Sequence, residues 1–268
     1  MRRKRRKTVF VGVLIFVFLI VVNLNFLNRI ISKNIVKVSK ENNEQYEQVN
    51  EMPQNKESLE EPVDEATNEA IDEDIIDSFT HEPLPEIITN KIKGVSWKEG
   101  APVTLDDLSY VRVTYWGFDD KEHIGELVVH KKVAEEITQI FKELYDAKFP
   151  IDKIRLIDEY EANDDLSMDD NNTSAFCFRE VAESEGTLSK HSYGIAIDIN
   201  PVQNPFIKGD RVSPVDGKEY TDRENLRKGM IVKDDICYRA FKKRGWIWGG
   251  EWKTLKDYQH FQKQIDLD

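Results

Sequence analysis

Hydrophobic and polar positions along the chain fall into three successive patterns. An apolar run extends from Val9 to Val22 and, with two asparagines tolerated, through Leu27. Its ~19 residues are close to the ~20 that a helix needs to cross a bilayer. Residues 33–88 are predominantly polar, and after them strand-like and helix-like periodicities alternate. The pattern predicts a transmembrane segment within residues 1–32, a linker over 33–88, and one folded domain over 89–268.

Several stretches of the folded segment have the alternation and residue types of β-strands. They are residues 108–115, 125–130, the stretch that follows Pro150, 174–179 and 195–199. In the last of these, Ile195, Ile197 and Ile199 share the face that we expect to meet the core. Asp198 therefore points to the opposite face.

Helical periodicity replaces the strand pattern in two places. Residues 131–145 place their apolar side chains on one face; these are Val133, Ile137, Ile140, Phe141 and Leu144. Residues 235–244 form a shorter helical pattern that Gly245 ends, whereas residues 163–174 are polar throughout and predict a loop. This order of elements predicts an α+β fold, with a central antiparallel sheet and flanking helices.

Charge gives the apolar run an orientation. The net charge is −12, but the first seven residues, MRRKRRK, carry six basic side chains. Basic residues before a membrane segment favour a cytoplasmic N-terminus. The alternative is a cleaved signal peptide, but no Ala-x-Ala-like cleavage site follows the run. We therefore expect a single-pass anchor in the cell membrane, with the folded domain on the outer side.

The linker is strongly acidic. Residues 40–86 contain sixteen Asp and Glu against two Lys. Such a composition buries too little apolar surface to offset the entropy of ordering, so we expect a disordered tether. No basic patch with interleaved aromatic residues occurs beyond the N-terminus, which argues against nucleic acid as a partner. Cys177 and Cys237 allow one disulfide in an exported domain, and the sequence leaves that pairing open.

Histidine and carboxylate residues of the folded segment have a spacing that suits a metal site. His191 and Asp198 flank Gly194 in SKHSYGIAIDIN. A catalytic zinc needs three protein ligands, an open position for water and a carboxylate that accepts the water's proton. If residues 257–260, DYQH, form a helical turn, Asp257 and His260 face the same cleft as base and third ligand.

Each of these residues also has a simpler interpretation. A His–Asp pair at a strand end is commonly just polar, and Asp257 alone suits a helix start or the surface. The other histidines, at 81, 123 and 130, lie in linker, strand or turn contexts and are interpreted as structural or solvated. Only the combination within one domain favours metal chemistry.

Three blocks of the sequence resemble a known family. SKHSYGIAIDINP resembles the Ser-x-His-x-x-Gly-x-Ala-x-Asp signature of the zinc D-alanyl-D-alanine peptidases, the VanY/VanX-like peptidoglycan metallopeptidases. GWIWGGEWKTLKDYQHF is similar to their second block, and NNTSAFCFRE to the block with their catalytic arginine. The resemblance covers roughly residues 90–265. It implies a compact α+β fold that the hedgehog signalling domain shares.

The resemblance also implies roles for individual residues. His191, Asp198 and His260 match the ligands of one zinc ion per domain, Asp257 the general base, and Arg179 the residue that holds the scissile carbonyl oxygen. The chain has Glu251 in Gly-Gly-Glu-Trp, where the family form is Gly-Gly-Asp-Trp. We interpret Glu251 as structural. Ser189 and Tyr193 shape the loop around His191 and are weaker candidates for substrate binding.

The implied substrate is the stem peptide of peptidoglycan. The resemblance favours a D-alanyl-D-alanine carboxypeptidase, and an endopeptidase of the L-alanyl-D-glutamate type is the alternative within the same chemistry. A wall-binding module with a vestigial site is the alternative of a different class, but it predicts a lost ligand or base. All the matching residues are present.

Overall fold

The computed structural model of this chain describes residues 79–181 and 184–267. The predicted membrane anchor and most of the predicted linker lie outside the described residues. Within the described part, none of the helices has both the length and the apolar character that a membrane span requires.

The described residues form a mixed α+β structure of short elements. The helices are α1 Glu86–Ile92, α2 Ala134–Asp146, α3 Asp164–Asp169 and α4 Ile236–Lys242. The strands are β1 Thr80–Pro83, β2 Leu108–Trp116, β3 Glu122–His130, β4 Lys153–Ile154, β5 Asn172–Thr173, β6 Glu180–Val181, β7 Ser184–Leu188, β8 Ala196–Asp198, β9 Phe206–Lys208, β10 Arg211–Ser213, β11 Ile247–Trp248, β12 Lys256–Asp257 and β13 His260–Gln262. Short 3₁₀ turns connect several of them, at Leu105–Asp107, Lys131–Val133, Ile157–Tyr160, Lys190–Tyr193, Val215–Tyr220 and Gly249–Glu251.

The longest strands form the antiparallel sheet β1–β2–β3. In the β2–β3 hairpin, Leu108 is opposite His130 and Trp116 is opposite Glu122. Helix α2 contributes its predicted apolar face, which includes Ile137 and Phe141, to the main hydrophobic cluster. That cluster also takes buried side chains from β2, β3, α4 and the strands around β8, so it supports the sheet that carries the candidate site.

A second antiparallel sheet, β11–β13–β8, positions the site residues. Ile197 of β8 and Phe261 of β13 are opposite each other and fully buried in the main cluster. Because side chains alternate along a strand, Asp198 and His260 both turn to the other face. The third sheet, β10–β9–β12, pairs Asp257 with Phe206. Because Asp257 is only three residues before His260, this sheet lies next to the second.

The architecture differs from a single central sheet. The described residues form three three-stranded sheets and two two-stranded ones, and the β4–β5 pair is parallel. Most strands have two or three residues, so most of the ladders are short. Alternating residues predict a strand but not its partner, and the sequence therefore did not show that the strands divide among several sheets.

The polar stretch 163–174 contains a helix, so the predicted loop is wrong there. Asn163 caps α3 by accepting a hydrogen bond from the backbone N–H of Leu166 at 3.1 Å. Two aspartates in the first turn interact favourably with the helix dipole. Only Ser167 and Met168 are buried, and a helix this short with so few buried residues has too little hydrophobic periodicity to detect.

Residues 174–179 do not form the predicted strand and have one isolated bridge, between Ser174 and Asp198. Their backbone N–H groups donate to several different segments: Phe176 to Val128, Cys177 to His191, and Phe178 to Ser96. Phe176 and Phe178 nevertheless pack into a second hydrophobic cluster, as their alternation predicts. The predicted alternation of the two phenylalanines is thus present, but the segment has no single partner strand in the described part of the chain.

Two further segments have other secondary structure than the sequence predicts. Residues 257–260 are not a helical turn, because Asp257 belongs to β12 and His260 to β13. Residues 80–88, assigned to the linker, form β1 and the start of α1. The β1 strand pairs with β2 over Thr80–Pro83, and this pairing orders a segment whose composition resembles the acidic stretch before it.

The cysteines are separate free thiols rather than a disulfide. Cys237 lies on α4 in the main cluster, and Cys177 lies 3.8 Å from the carbonyl oxygen of Ala162. Burial raises the pKa of the Cys177 thiol to about 12 and that of Cys237 well above its usual value. Both behave as buried apolar groups.

Candidate active site

His191 is positioned by a tight turn. The Ser189 hydroxyl accepts a hydrogen bond from the His191 backbone N–H at 3.3 Å, and this begins the 3₁₀ turn Lys190–Tyr193. Gly194 ends the turn with φ of 67°, in the left-handed region. A Cβ atom there would lie 2.5 Å from the backbone nitrogen of His130. Glycine therefore lets His191 turn back toward β8.

Asp198 and His260 are brought together by strand register. They are directly opposite each other on β8 and β13. The His260 Nδ1 atom lies 2.8 Å from Asp198 Oδ1. A slip of one residue in this pairing would turn one of the two side chains to the core face, so the buried isoleucines and Phe261 that set the register also set the site.

The three side chains form one buried cluster. His191 Nε2 lies 3.2 Å from Asp198 Oδ2 and 3.3 Å from His260 Nδ1. The three ligand atoms all lie within 4.8 Å of one another. The structure thus brings together the three residues that the sequence analysis names as ligands, and this His–Asp–His group can hold a metal ion.

The spacing suits a tetrahedral cation. Zinc bonds of ~2.0–2.2 Å to nitrogen and oxygen place adjacent tetrahedral ligands about 3.3 Å apart. The His191–His260 and His191–Asp198 separations match this value, and the Asp198–His260 separation of 2.8 Å is somewhat shorter. His191, Asp198 and His260 would be the residues that hold such an ion.

The outer nitrogens of both histidines are occupied. His191 Nδ1 lies 2.5 Å from the carbonyl oxygen of Ala175, and His260 Nε2 lies 3.1 Å from Gln262 Oε1. These acceptors favour the tautomers that present a lone pair to the cluster. Such partners orient ligating imidazoles and increase their basicity.

The electrostatics of the cluster favour an anionic carboxylate beside a cation. Burial opposes ionisation of Asp198, but the two histidines hold its pKa well below its usual range. Burial also opposes charge on His260, but Asp198 raises the pKa of that imidazole to about 9. Both shifts arise from the attraction between the Asp198 carboxylate and positive charge beside it.

Asp257 lies close enough to Asp198 and His260 to interact electrostatically with both. Its side chain is only partly exposed, and Oδ1 is buried with no hydrogen-bond partner among the described residues. Burial raises the pKa of this carboxyl to about 7, although His260 opposes the shift. Gly249 packs against it, since a Cβ there would lie 2.5 Å from the Asp257 carbonyl oxygen.

Arg179 forms an ion pair that the sequence analysis did not include. Its Nη2 lies 2.9 Å from Asp164 Oδ2, at the start of α3. Its Nε is buried and has no partner among the described residues. Burial opposes the charge, but Asp164, Asp198 and Asp257 are among the acids that raise the pKa of Arg179. Arg179 and Asp257 thus each keep one polar atom unpaired.

The weaker candidates for substrate binding have structural contacts. Ser189 is buried and caps the turn before His191, and Tyr193 packs against the second hydrophobic cluster beside Lys190. Their contact with substrate stays a prediction. Trp252, which the sequence analysis did not select, packs against the His260 ring at 5.5 Å between centroids.

The remaining polar candidates have other partners. His123 pairs with Asp119, and His130 accepts the Lys132 backbone N–H. Glu251 accepts hydrogen bonds from Tyr238 and Lys242 of α4, both at 2.7 Å. These contacts support the structural interpretation of Glu251.

Asp164 and Gln262 were missed for different reasons. Gln262 is two residues after His260, so correct assignment of β13 would have placed both on one face. Asp164 is one of several acids in a polar stretch, and nothing in its local pattern distinguishes it.

Comparison with known proteins agrees with the central motifs. Residues 182–263 match the family described as D-alanyl-D-alanine carboxypeptidase. The chain is also similar to peptidoglycan L-alanyl-D-glutamate endopeptidase CwlK of Bacillus subtilis (strain 168), with 30% identity over 82 residues. That alignment covers 31% of this chain and 43% of the relative, so the match spans less than half of the relative's length. No solved structure matches.

The resemblance to the VanY-like peptidoglycan metallopeptidase family is confirmed over this segment. The segment holds the whole His–Asp–His cluster and Asp257. Arg179 precedes it, so the assignment of the arginine depends on the sequence resemblance and on its position in the structure.

Proposed function

We propose that this chain is a zinc-dependent peptidase that hydrolyses stem peptides of peptidoglycan. The buried cluster of His191, Asp198 and His260 carries the proposal, because its spacing suits a cation and its outer nitrogens are already hydrogen-bonded. Two imidazoles and one carboxylate are a ligand set of catalytic zinc sites. The family match and the printed activity of the relative support peptidoglycan as the substrate.

The three ligands would hold the ion with one position open. When bound, zinc lowers the pKa of water and polarises a carbonyl group. His191 and His260 bind through the nitrogens that face the cluster, while Ala175 and Gln262 fix the ring orientations. The surrounding burial excludes bulk water and strengthens these electrostatic interactions.

Asp257 moves the proton. Its unpaired Oδ1 is the atom that accepts a proton from the attacking water, and it then returns that proton to the leaving amine. Burial raises the pKa of this carboxyl, so it is more basic than an ordinary aspartate and better able to take a proton. Arg179 donates a hydrogen bond to the oxygen of the scissile carbonyl as charge develops there.

The bond that is cut has two candidates. D-alanyl-D-alanine carboxypeptidase activity is the first, and the description of the matched family supports it. Endopeptidase activity between L-alanine and D-glutamate is the second, and the similarity to CwlK favours it. A non-catalytic wall-binding module is disfavoured, because the ligands, the base and the arginine are all present.

The test is hydrolysis of defined muropeptides by the zinc-loaded full-length protein. A carboxypeptidase releases one D-alanine from a pentapeptide stem, whereas the endopeptidase divides the stem after L-alanine, and mass spectrometry distinguishes the products. The Asp257→Asn protein is the matched control. Absence of any cleavage by a protein shown to contain zinc would overturn the proposed function.

We also propose that residues 1–32 anchor the protein in the cell membrane and that the acidic linker holds the domain on the side of the wall. The basic N-terminus and the apolar run support this arrangement. Protease added to intact spheroplasts should digest the domain while the full-length protein sediments with membranes. A variant without residues 1–32 should stay soluble, and sedimentation of that variant would contradict the anchor.

A further inference from the structure

We propose that Asp164 is a positioning residue for Arg179, holding the guanidinium so that its unpaired Nε–H faces the substrate oxygen and stays apart from Asp257. This inference rests on the proposed function, because it assigns a role within the same site. It extends that function to an acidic residue outside the segment matched by the family.

The ion pair is the first observation. Asp164 Oδ2 and Arg179 Nη2 are 2.9 Å apart, and each side chain is about a quarter exposed, at 25% and 24%. The pair is thus partly shielded from water, and its screening is weaker than at an open surface. The backbone on either side is also fixed, since Ser192 Oγ accepts the Arg179 N–H at 3.0 Å and donates to its carbonyl oxygen at 2.7 Å.

The second observation concerns the contacts that fix helix α3, which carries Asp164. The Asn163 cap fixes the first turn of α3, and Ser167 on the same helix accepts a hydrogen bond from Asn172 at 3.0 Å. The same helix reaches the other half of the site, since Gln259 Nε2 lies 3.4 Å from Met168 Sδ. Helix α3 therefore contacts both the arginine and the segment between Asp257 and His260.

The pattern of unpaired atoms is the third observation. Arg179 uses Nη2 for Asp164 and keeps Nε buried without a partner among the described residues, while Asp257 keeps Oδ1 in the same state. Arginine and Asp257 attract each other, and a direct pair between them would occupy the two groups that substrate and water need. Asp164 pairs with Nη2 of the guanidinium, while Nε–H keeps no partner among the described residues.

The first test measures the position of Arg179 without using activity. The full-length protein is treated with phenylglyoxal, and modification of Arg179 is followed by mass spectrometry of its peptide. We expect Asp164→Asn to be modified about three to five times faster than wild type, the range that an ion pair of partial exposure supports. Asp165→Asn is the matched control, because it removes an exposed acid from the same turn of α3. Equal rates in all three proteins would overturn the positioning role.

The second test measures the consequence for the reaction. Arg179 acts on charge that develops in the transition state, so Asp164→Asn should lower kcat by about 10- to 100-fold with little change in KM. The same substitution should add no further loss in an Arg179→Ala background, because its effect passes through the arginine. An equal loss in both backgrounds, or a loss in Asp165→Asn as large as in Asp164→Asn, would overturn the inference.

The two tests separate the inference from the proposed function. A zinc-loaded wild type that cleaves no muropeptide removes the proposed function, while the phenylglyoxal rates still decide whether Asp164 holds Arg179. An active wild type whose kcat is unchanged in Asp164→Asn keeps the function and removes the inference. Thermal unfolding of each variant shows whether a lost activity reflects a lost fold.

Discussion

The two halves of the site differ in how completely their polar side-chain atoms are paired with other protein atoms. In the half formed by His191, Asp198 and His260, the three side chains contact one another, and the outer nitrogens of both histidines have acceptors. In the half formed by Asp257 and Arg179, each residue keeps a buried polar atom without a partner among the described residues.

This difference separates two tasks. Buried polar groups are nearly always hydrogen-bonded in folded proteins, and each exception requires an explanation. A complete set of contacts holds ligands in a fixed geometry, whereas an unpaired donor and an unpaired acceptor retain binding capacity for a reacting molecule. The completed half suits a permanent cation, and the incomplete half suits water and substrate.

The largest expected effect comes from removing a residue of the His–Asp–His cluster. His260→Ala should lose both zinc and activity, because two protein ligands no longer hold the ion tightly. Metal analysis after dialysis and a muropeptide assay measure the two losses. Retention of one zinc per chain by this variant would show that the cluster is not the metal site.

Asp257→Asn should lower activity without affecting the binding of zinc by the His–Asp–His cluster. The amide cannot accept the proton, so kcat should fall by about 10²- to 10⁴-fold, the usual contribution of a general base. Zinc content should stay at the wild-type value. Loss of zinc in this variant would mean that Asp257 belongs with the ligands, and the division between the halves would fail.

Removal of the hydrogen bond between Gln262 and the outer nitrogen of His260 should have an intermediate effect on zinc binding. Gln262→Leu removes the acceptor for His260 Nε2 and should weaken zinc binding by about 10- to 100-fold. Gln262→Glu is the control, since it retains an acceptor at the same position. Competition with a chromogenic chelator measures both affinities, and equal affinities for the leucine and glutamate variants would contradict a role for this contact.

The smallest expected effect is a pH dependence. Burial raises the pKa of Asp257 to about 7 in the metal-free protein, and a nearby cation moves it downward because it favours the carboxylate. The base must be deprotonated to act, so kcat/KM should fall by about tenfold per pH unit below that pKa. A profile that stays flat from pH 7 to pH 4 in a protein that keeps its zinc would contradict the assignment of the base.

The sequence predicted which residues lie together more successfully than the way the fold brings them together. His191 and Asp198 are close in the chain, and Gly194 between them marks the turn, so local reasoning applies. For Asp257 and His260 the residue types suggested a shared cleft, but the reason given was wrong. They are strand residues paired to Phe206 and Asp198, and strand pairing depends on partners far away in sequence.

Contacts over long sequence distances explain the other omissions. Asp164 pairs with a residue 15 positions later, and only the folded structure shows that α3 stands beside the arginine. The α+β class followed from the order of periodic segments, and the face of α2 was predicted correctly. The division into several small sheets did not follow, because two-residue strands contain too little alternation to detect.

The link between β12 and β13 has a consequence for how the proposed activity could diversify. Asp257 and His260 are three residues apart but belong to different sheets, with Tyr258 held under Arg223 at 4.3 Å between them. Under the proposed function, exchanges in the 206–228 region would change the surroundings of Asp257, which pairs with Phe206, while Asp198 and His260 keep their own pairing. Substrate preference and metal retention would then be separately adjustable, and a library confined to that region should alter specificity without loss of bound metal.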